Sequence, residues 1–382
     1  MKKYIAERFR GGTASISLNT AALEKYNDVI DLSIGDTDIV TDERIINRAF
    51  ADAKAGYTRY GIPKGDPELV AATCRAWEED FGQTIQAENV LVSASSCLGM
   101  SLVMMAILNP GDEVLVFSPY FPMYKSQIEL AGGVCVEVPT FAEEDYAIRR
   151  DRLEAAITER TKAIIFNNPV NPSGMAYGKD TLELLASVAK EHDLLIASDE
   201  IYTTYMFEGD FVPLRTLPDM EDRTITLNSF SKNFLMTGWR VGVIIAHPEF
   251  VRVMNMINGA VIYAAPSVSQ RAGIEALRLR EDIRARYISV YRERMLYSAD
   301  RLEKIDYLSL VRPKGTFYLF PGIEKTGLNS AEFCNELLER AHILVTPGSA
   351  FGSTGEGHFR IACTVGIEKL KEAFDRMETL KF

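Results

Sequence analysis

Histidine is scarce in this sequence and paired cysteine is lacking. Its 382 residues include four histidines and five cysteines (Cys74, Cys97, Cys135, Cys334, Cys363), widely scattered and without a Cys-x-x-Cys pair. That argues against a structural zinc site or a disulfide framework. Positive charge is also in deficit. Lys and Arg total 42 against 53 Asp and Glu, a net charge of −11, so nucleic acid or an anionic membrane is not the expected main partner. No apolar run approaches the length of a membrane span. The opening MKKYIAERFRGG sets charges with no apolar stretch behind them, so no signal peptide is expected and the cytoplasm is the expected location. There is no internal repeat and no low-complexity linker.

What is present is an ordinary globular composition, 47% apolar and 25% charged, in a chain long enough for two domains. Strand candidates fall at Asn89–Ser93, Glu113–Phe117, Val134–Val138, Ala163–Phe166, Leu194–Ala197, Thr224–Asn228 and Val241–Ala246. Several are apolar throughout, as strands covered on both faces are. Helical periodicities such as Ser96–Leu108 and Leu182–His192 separate them. The alternation predicts an α/β fold, a mostly parallel seven-stranded sheet flanked by helices. After Ala265-Pro266 the pattern changes to a long charged helix over Ser267–Lys304. Short strands at Thr316–Phe320 and Phe359–Cys363 and helices at Ala331–Ala341 and Ile367–Lys381 follow. The expected division is a large domain over 35–265 and a smaller α+β domain from 1–34 and 266–382.

One stretch organises the rest: Thr224 to Gly242, TITLNSFSKNFLMTGWRVG. A β-branched run ends in a polar turn with Ser229 and Lys232 three positions apart, and Arg240 eight further on. Such a turn delivers an amine to the carboxyl edge of a sheet, where α/β proteins keep ligands. A desolvated lysine loses its proton readily and can form a Schiff base with an aldehyde. The guanidinium of Arg240 suits a phosphate. Aldehyde and phosphate together describe pyridoxal 5'-phosphate. Taken alone, a lysine after a strand is usually a solvated loop charge. Ser-x-x-Lys is also a serine acylase signature, and Lys325-Thr326-Gly327 matches a second element of it.

Other strand ends add what such a ligand needs, though each has a blander explanation. Asn167 to Gly174, NNPVNPSG, is a loop whose amides can donate to a phenolic oxygen. Asp199, in SDEIY, is either a helix cap or a carboxylate that would keep a pyridine nitrogen protonated, the electron sink of amino-acid carbanion chemistry. Ser93 to Gly99 brings small residues to a helix start, a phosphate seat or a plain N-cap. Ser118-Pro119-Tyr120-Phe121-Pro122 offers an aromatic ring for stacking or for the core. Arg360, in HFRIAC, is a surface charge or a carboxylate clamp.

With NPVNPSG, SDEIY, SFSKNFLMTGWRVG, KGTFYLF, PGSAFG and HFRIACTV in this order, the chain resembles the class I/II aminotransferases, pyridoxal-phosphate enzymes of fold type I typified by aspartate aminotransferase. The resemblance implies that Lys232 carries the cofactor as a Schiff base. It puts Asp199 on the pyridine nitrogen, and Asn171 and Tyr202 on the phenolic oxygen. Ser229 and Arg240, with Ser95, Ser96 and Cys97, would hold the phosphate. Phe121 would stack on the ring, and Arg360 would take the substrate α-carboxylate with Gly35 and Asn171 nearby. YTRYGIPKGDPEL aligns Tyr60, Gly65 and Leu69 with a segment whose tyrosine reaches the neighbouring subunit's phosphate, which implies a homodimer with shared sites. Two departures stand out: Ser95-Ser96-Cys97 where glycine or threonine is commoner, and GDTDIVTD without the usual proline and phenylalanine. The implied reaction is transfer of an amino group between an L-amino acid and a 2-oxo acid, the donor being open. Rival readings are a carbon–sulfur β-lyase on the same scaffold, a serine acylase, and a non-catalytic effector-binding module.

Overall fold

The computed structural model describes residues 4–6, 9 and 25–382, so most of the segment 1–34 assigned above to the smaller domain lies outside the described residues. Seven strands form one sheet: β2 (Val90–Ser93), β3 (Glu113–Ser118), β4 (Val134–Pro139), β5 (Thr161–Asn167), β6 (Leu195–Asp199), β7 (Thr224–Ser229) and β8 (Gly242–Ile245), after a short β1 (Ile30–Asp31) elsewhere. The order is β2-β8-β7-β6-β5-β3-β4, with β8 antiparallel to both neighbours and the other pairs parallel. The expected parallel sheet is therefore present with one reversed strand. Consecutive residues such as Val114, Leu115 and Val116, or Ile164 and Ile165, are at most 1% exposed, so both faces are covered. Each such side chain contributes about 1.5–3 kcal/mol on leaving water. The polarity has one functional consequence. The carboxyl ends of β2, β3, β5, β6 and β7 and the start of β8 share one edge.

Of the remaining strands, the two expected at Thr316–Phe320 and Phe359–Cys363 are shorter than expected, and two others were not expected. These remaining strands are β9 (Tyr318–Leu319), β10 (Ile343–Leu344), β11 (Thr346–Pro347) and β12 (Phe359–Ala362). β12 runs antiparallel between β11 and β9, while β1 pairs in parallel with β10, tying Ile30 and Asp31 to the C-terminal part of the chain. The long helix read over Ser267–Lys304 is not continuous. It comprises Ser267–Arg278, a short Arg280–Ile283 turn, a π-helical stretch over Arg284–Ile288, and Ser289–Leu302. The break sits where Arg280 and Arg284 are both drawn to Asp80. Uniform charge and good helix propensity gave no sign of it.

Candidate active site

At the shared edge, β7 ends on Ser229, whose Oγ accepts from the Ser231 amide at 3.1 Å and caps a single helical turn, Phe230–Asn233. That turn projects the half-buried Lys232, whose Nζ donates to the Gly35 carbonyl at 2.5 Å and lies 5.6 Å from the Phe317 ring centre. Gly35 is required by space. A Cβ there would sit 1.8 Å from the Tyr318 hydroxyl.

Asp199 closes β6 beside Asn167, the last residue of β5. The Asn167 side chain donates to the Asp199 carbonyl at 2.9 Å and accepts from the Asn171 amide at 2.8 Å, which folds the NNPVNPSG loop over the strand ends. The Asp199 carboxylate is asymmetric. Oδ2 accepts from the Tyr124 hydroxyl at 2.5 Å, whereas Oδ1 is buried and has no partner. Burial pushes this carboxyl from its ordinary 3.8 up to about 6, against the pull of Tyr124 and the Ile201 amide. An ionised oxygen left unpaired in the interior costs about 1–3 kcal/mol or more. A proton or a cationic N–H donor at Oδ1 would remove that cost.

Asn171 also anchors the opposite side. Its Oδ1 accepts from Arg360 Nη1 at 3.0 Å, while Arg360 Nη2 donates to the Ser33 carbonyl at 2.6 Å. The guanidinium lies between the Tyr318 and Phe351 rings, 4.5 and 4.9 Å from their centres, and Nε is buried without a partner. Burial lowers its pKa, and the neighbouring tyrosines work against that. Tyr202 is fully buried with its hydroxyl 3.2 Å from that of Tyr318, and burial raises its phenol well above the usual range.

A second pole forms where Ser93 and Ser229 both pair with Gly242 across β8. Gly242 has no room for a side chain, since a Cβ would meet the Asn228 carbonyl and the Ser96 amide at 2.9 Å. The helix Ser95–Ile107 starts here behind Ala94, which cannot cap it; the Leu98 amide donates to Ser95 Oγ at 3.4 Å. Ser96 Oγ donates to the Asn228 carbonyl at 2.9 Å. Ser95 holds φ +84, a conformation glycine adopts freely and serine rarely does. This gives a physical reason why glycine is commoner in such loops. Cys97 is exposed and its backbone carbonyl accepts from Gln127 at 2.8 Å. Protein atoms packed around its sulfur still desolvate it and raise its thiol pKa, while the nearby Arg240 cation lowers it. Arg240 is exposed, its Nη1 donating to the Thr237 carbonyl at 2.7 Å.

The structure thus brings Gly35, Ser95, Ser96, Cys97, Asn171, Asp199, Tyr202, Ser229, Lys232, Arg240 and Arg360 to one cleft. Asp199 acts electrostatically on both Tyr202 and Cys97. Phe121 is half-buried and meets Tyr124 edge-on at 5.6 Å. Tyr60 stands apart. It is 91% exposed, with the edge of the Tyr263 ring at 5.3 Å. Sequence reasoning missed Tyr124 and Tyr318. Tyr318 lies inside the KGTFYLF motif, and Tyr124 follows Phe121 by three positions. Lys325, the element of the acylase pattern, is engaged far along the chain with the Asp306 carbonyl at 2.9 Å.

The family model for aminotransferase class I and II matches residues 27–377. The chain belongs to that family. As a class I/II aminotransferase it transfers amino groups between amino acids and 2-oxo acids, and the β-lyase reading is not favoured. Relatives of this aminotransferase include an aspartate aminotransferase of Pyrococcus abyssi, 39% identical over 366 residues, covering 92% of this chain and 91% of the relative. An aromatic-amino-acid aminotransferase of Thermococcus litoralis is 38% identical over 356 residues, with 92% and 91% covered. The solved aspartate aminotransferase of Thermus thermophilus with maleate superposes with a TM-score of 0.92 at 33% identity, covering 97% of this chain and 98% of that one.

Proposed function

We propose that this aminotransferase works with pyridoxal 5'-phosphate, seated between Asp199 and the Ser95–Cys97 helix start. The observation that carries the reading is the partnerless, buried Oδ1 of Asp199, an acceptor suited to a protonated ring nitrogen. Lys232, Asp199 and Tyr202 are the proposed catalytic groups. Asn171 and Tyr202 would donate to the phenolic oxygen, and Phe121 would cover the ring. Ser95, Ser96, Cys97, Ser229 and Arg240 would surround the phosphate. When bound, the cofactor supplies an aldehyde that takes the amino group and a protonated ring that draws electrons from the α-carbon.

The chain's own residues then have distinct tasks. Arg360, with Asn171 and Gly35 beside it, binds and orients the substrate carboxylate in a pocket dry enough to strengthen the ion pair. The Lys232 Nζ, held against the Gly35 carbonyl, moves the α-proton as base and then acid. Buried Tyr202, Tyr318 and Phe351 keep water from the reacting carbon. The exposed Tyr60 fits a second copy of the chain, in a cytoplasmic homodimer with shared sites. The domain division at about 35–265 belongs to the same reading. The substrates are an L-amino acid and a 2-oxo acid, without commitment to one donor.

Replacing Lys232 by alanine tests the assignment. Purified Lys232→Ala protein mixed with pyridoxal phosphate should lack the wild-type visible band and lose amino-acid turnover. An unchanged visible spectrum would refute the role of Lys232.

A further inference from the structure

Three residues of the cleft meet at one side chain that the reaction scheme above uses only to exclude water. Tyr318, on β9, is 3% exposed. Its hydroxyl lies 3.2 Å from that of Tyr202, its ring carries the Arg360 guanidinium at 4.5 Å, and its hydroxyl fills the space left by the missing side chain of Gly35. The backbone around it is equally constrained. The Tyr318 amide donates to Thr316 Oγ1 at 3.0 Å, β9 pairs Tyr318 with Ala362, and a Cβ on Gly174 would come within 2.7 Å of the Tyr318 carbonyl. The side chain is thus fixed between the β12 strand that bears Arg360 and the loop that bears Asn171.

We propose that Tyr318 is a positioning residue that couples the carboxylate clamp to the phenolic end of the cofactor: its hydroxyl, which accepts from Tyr202 in this structure, turns to donate to Tyr202 once Tyr202 donates to the cofactor, while its ring carries Arg360. The inference rests on the pyridoxal-phosphate reading and deepens it. The chemistry follows from hydroxyl geometry. A phenol can donate one hydrogen bond and accept others. If Tyr202 donates to the cofactor's phenolic oxygen, its own oxygen is left as an acceptor, and within hydrogen-bond distance the Tyr318 hydroxyl is placed to fill it. Donors in series polarise one another, so Tyr318 strengthens the hydrogen bond that Tyr202 makes. The ring adds a separate contribution, since a guanidinium over an aromatic face is attracted and held in plane.

The two contributions separate by mutation. Tyr318→Phe keeps the ring and removes only the hydroxyl. The phenolic oxygen then has a weaker donor and keeps its shared proton to higher pH. The pH midpoint of the visible band of the cofactor-loaded protein should rise by about half a unit, with KM for the amino acid nearly unchanged. Tyr318→Leu loses both contributions, and its KM should rise roughly tenfold while kcat falls less. Thermal unfolding by circular dichroism checks that both variants fold, and Tyr202→Phe serves as the reference for a direct loss at the phenolic oxygen. If Tyr202→Phe shifts the midpoint and a folded Tyr318→Phe does not, the coupling is wrong while the cofactor reading stands. If the wild-type protein develops no visible band with pyridoxal phosphate, the cofactor reading itself fails.

Discussion

The two ends of the cleft are built on opposite principles. At the Asp199 end the charge is buried, one carboxylate oxygen is committed to Tyr124, and the other is left without a partner. At the Arg240 end the charge is exposed, and the seat consists of helix amides and small hydroxyls. A buried unpaired carboxylate is costly until a cation arrives, so that end gains most from a protonated ring. An exposed guanidinium is already hydrated and gains less. Under the proposed function the contrast gives each end different work: the Asp199 end would set the chemistry, and the Arg240 end how firmly the cofactor is kept.

The largest expected effect tests the first half. Asp199→Asn keeps shape and removes the anion, so the ring nitrogen is no longer held protonated. Turnover should fall roughly a thousandfold, measured with saturating cofactor. The same variant should alter the unliganded protein in the opposite sense. A carboxyl whose folded pKa is raised from 3.8 to about 6 favours the folded state at low pH, and that stability is lost as pH rises through about 6. Two units correspond to about 3 kcal/mol, so urea melts of unliganded Asp199→Asn should lose that share of the pH dependence and be more stable than wild type above pH ~6. Glu200, pushed up to about 8 by burial, adds a slope that the variant leaves in place.

Arg240→Ala probes the other half and should act more gently. Losing one charged donor to phosphate costs about 1.5–3 kcal/mol, so cofactor affinity in a visible titration should drop on the order of 10- to 100-fold. Because the group is exposed, wild-type affinity should weaken with added salt more than the variant's does. Turnover at saturating cofactor should change little. If Arg240→Ala instead abolished turnover and Asp199→Asn only loosened the cofactor, the division of labour proposed here would be reversed.

The two ends also differed in how readable they were. Asp199 and Ser229, which end strands, and Asn171 and Lys232, which follow strand ends within four residues, could be brought together from sequence because sheet polarity forces such ends to one edge. The proposed phosphate seat was readable only as small residues before a helix; nothing in Ser95-Ser96-Cys97 announces a positive φ at Ser95. Tyr124 and Tyr318 escaped because they sit inside apolar stretches, where an aromatic residue reads as core. Both are core by burial, and only the partners of their hydroxyls set them apart. The break after Arg278 was hidden for a similar reason. An acidic group on a distant helix, Asp80, holds Arg280 and Arg284 there, a tertiary contact that local propensity does not encode.

Tyr124→Phe is the finest test of the contrast, since it leaves every charge in place. It deletes the hydroxyl that donates to Asp199 Oδ2 and so leaves both carboxylate oxygens without that support. In the unliganded protein the carboxyl should become still harder to ionise. Stability should fall by about 1–3 kcal/mol at pH 8, where the group must be charged, and by less at pH 5, where it is largely protonated. In the loaded protein the ring nitrogen offers Oδ1 a compensating partner, so turnover should fall less than tenfold. Urea denaturation at the two pH values, with and without pyridoxal phosphate, measures all of this. An equal loss at both pH values would mean that Tyr124 merely fills space beside Asp199, and the buried end would then owe its polarity to burial alone.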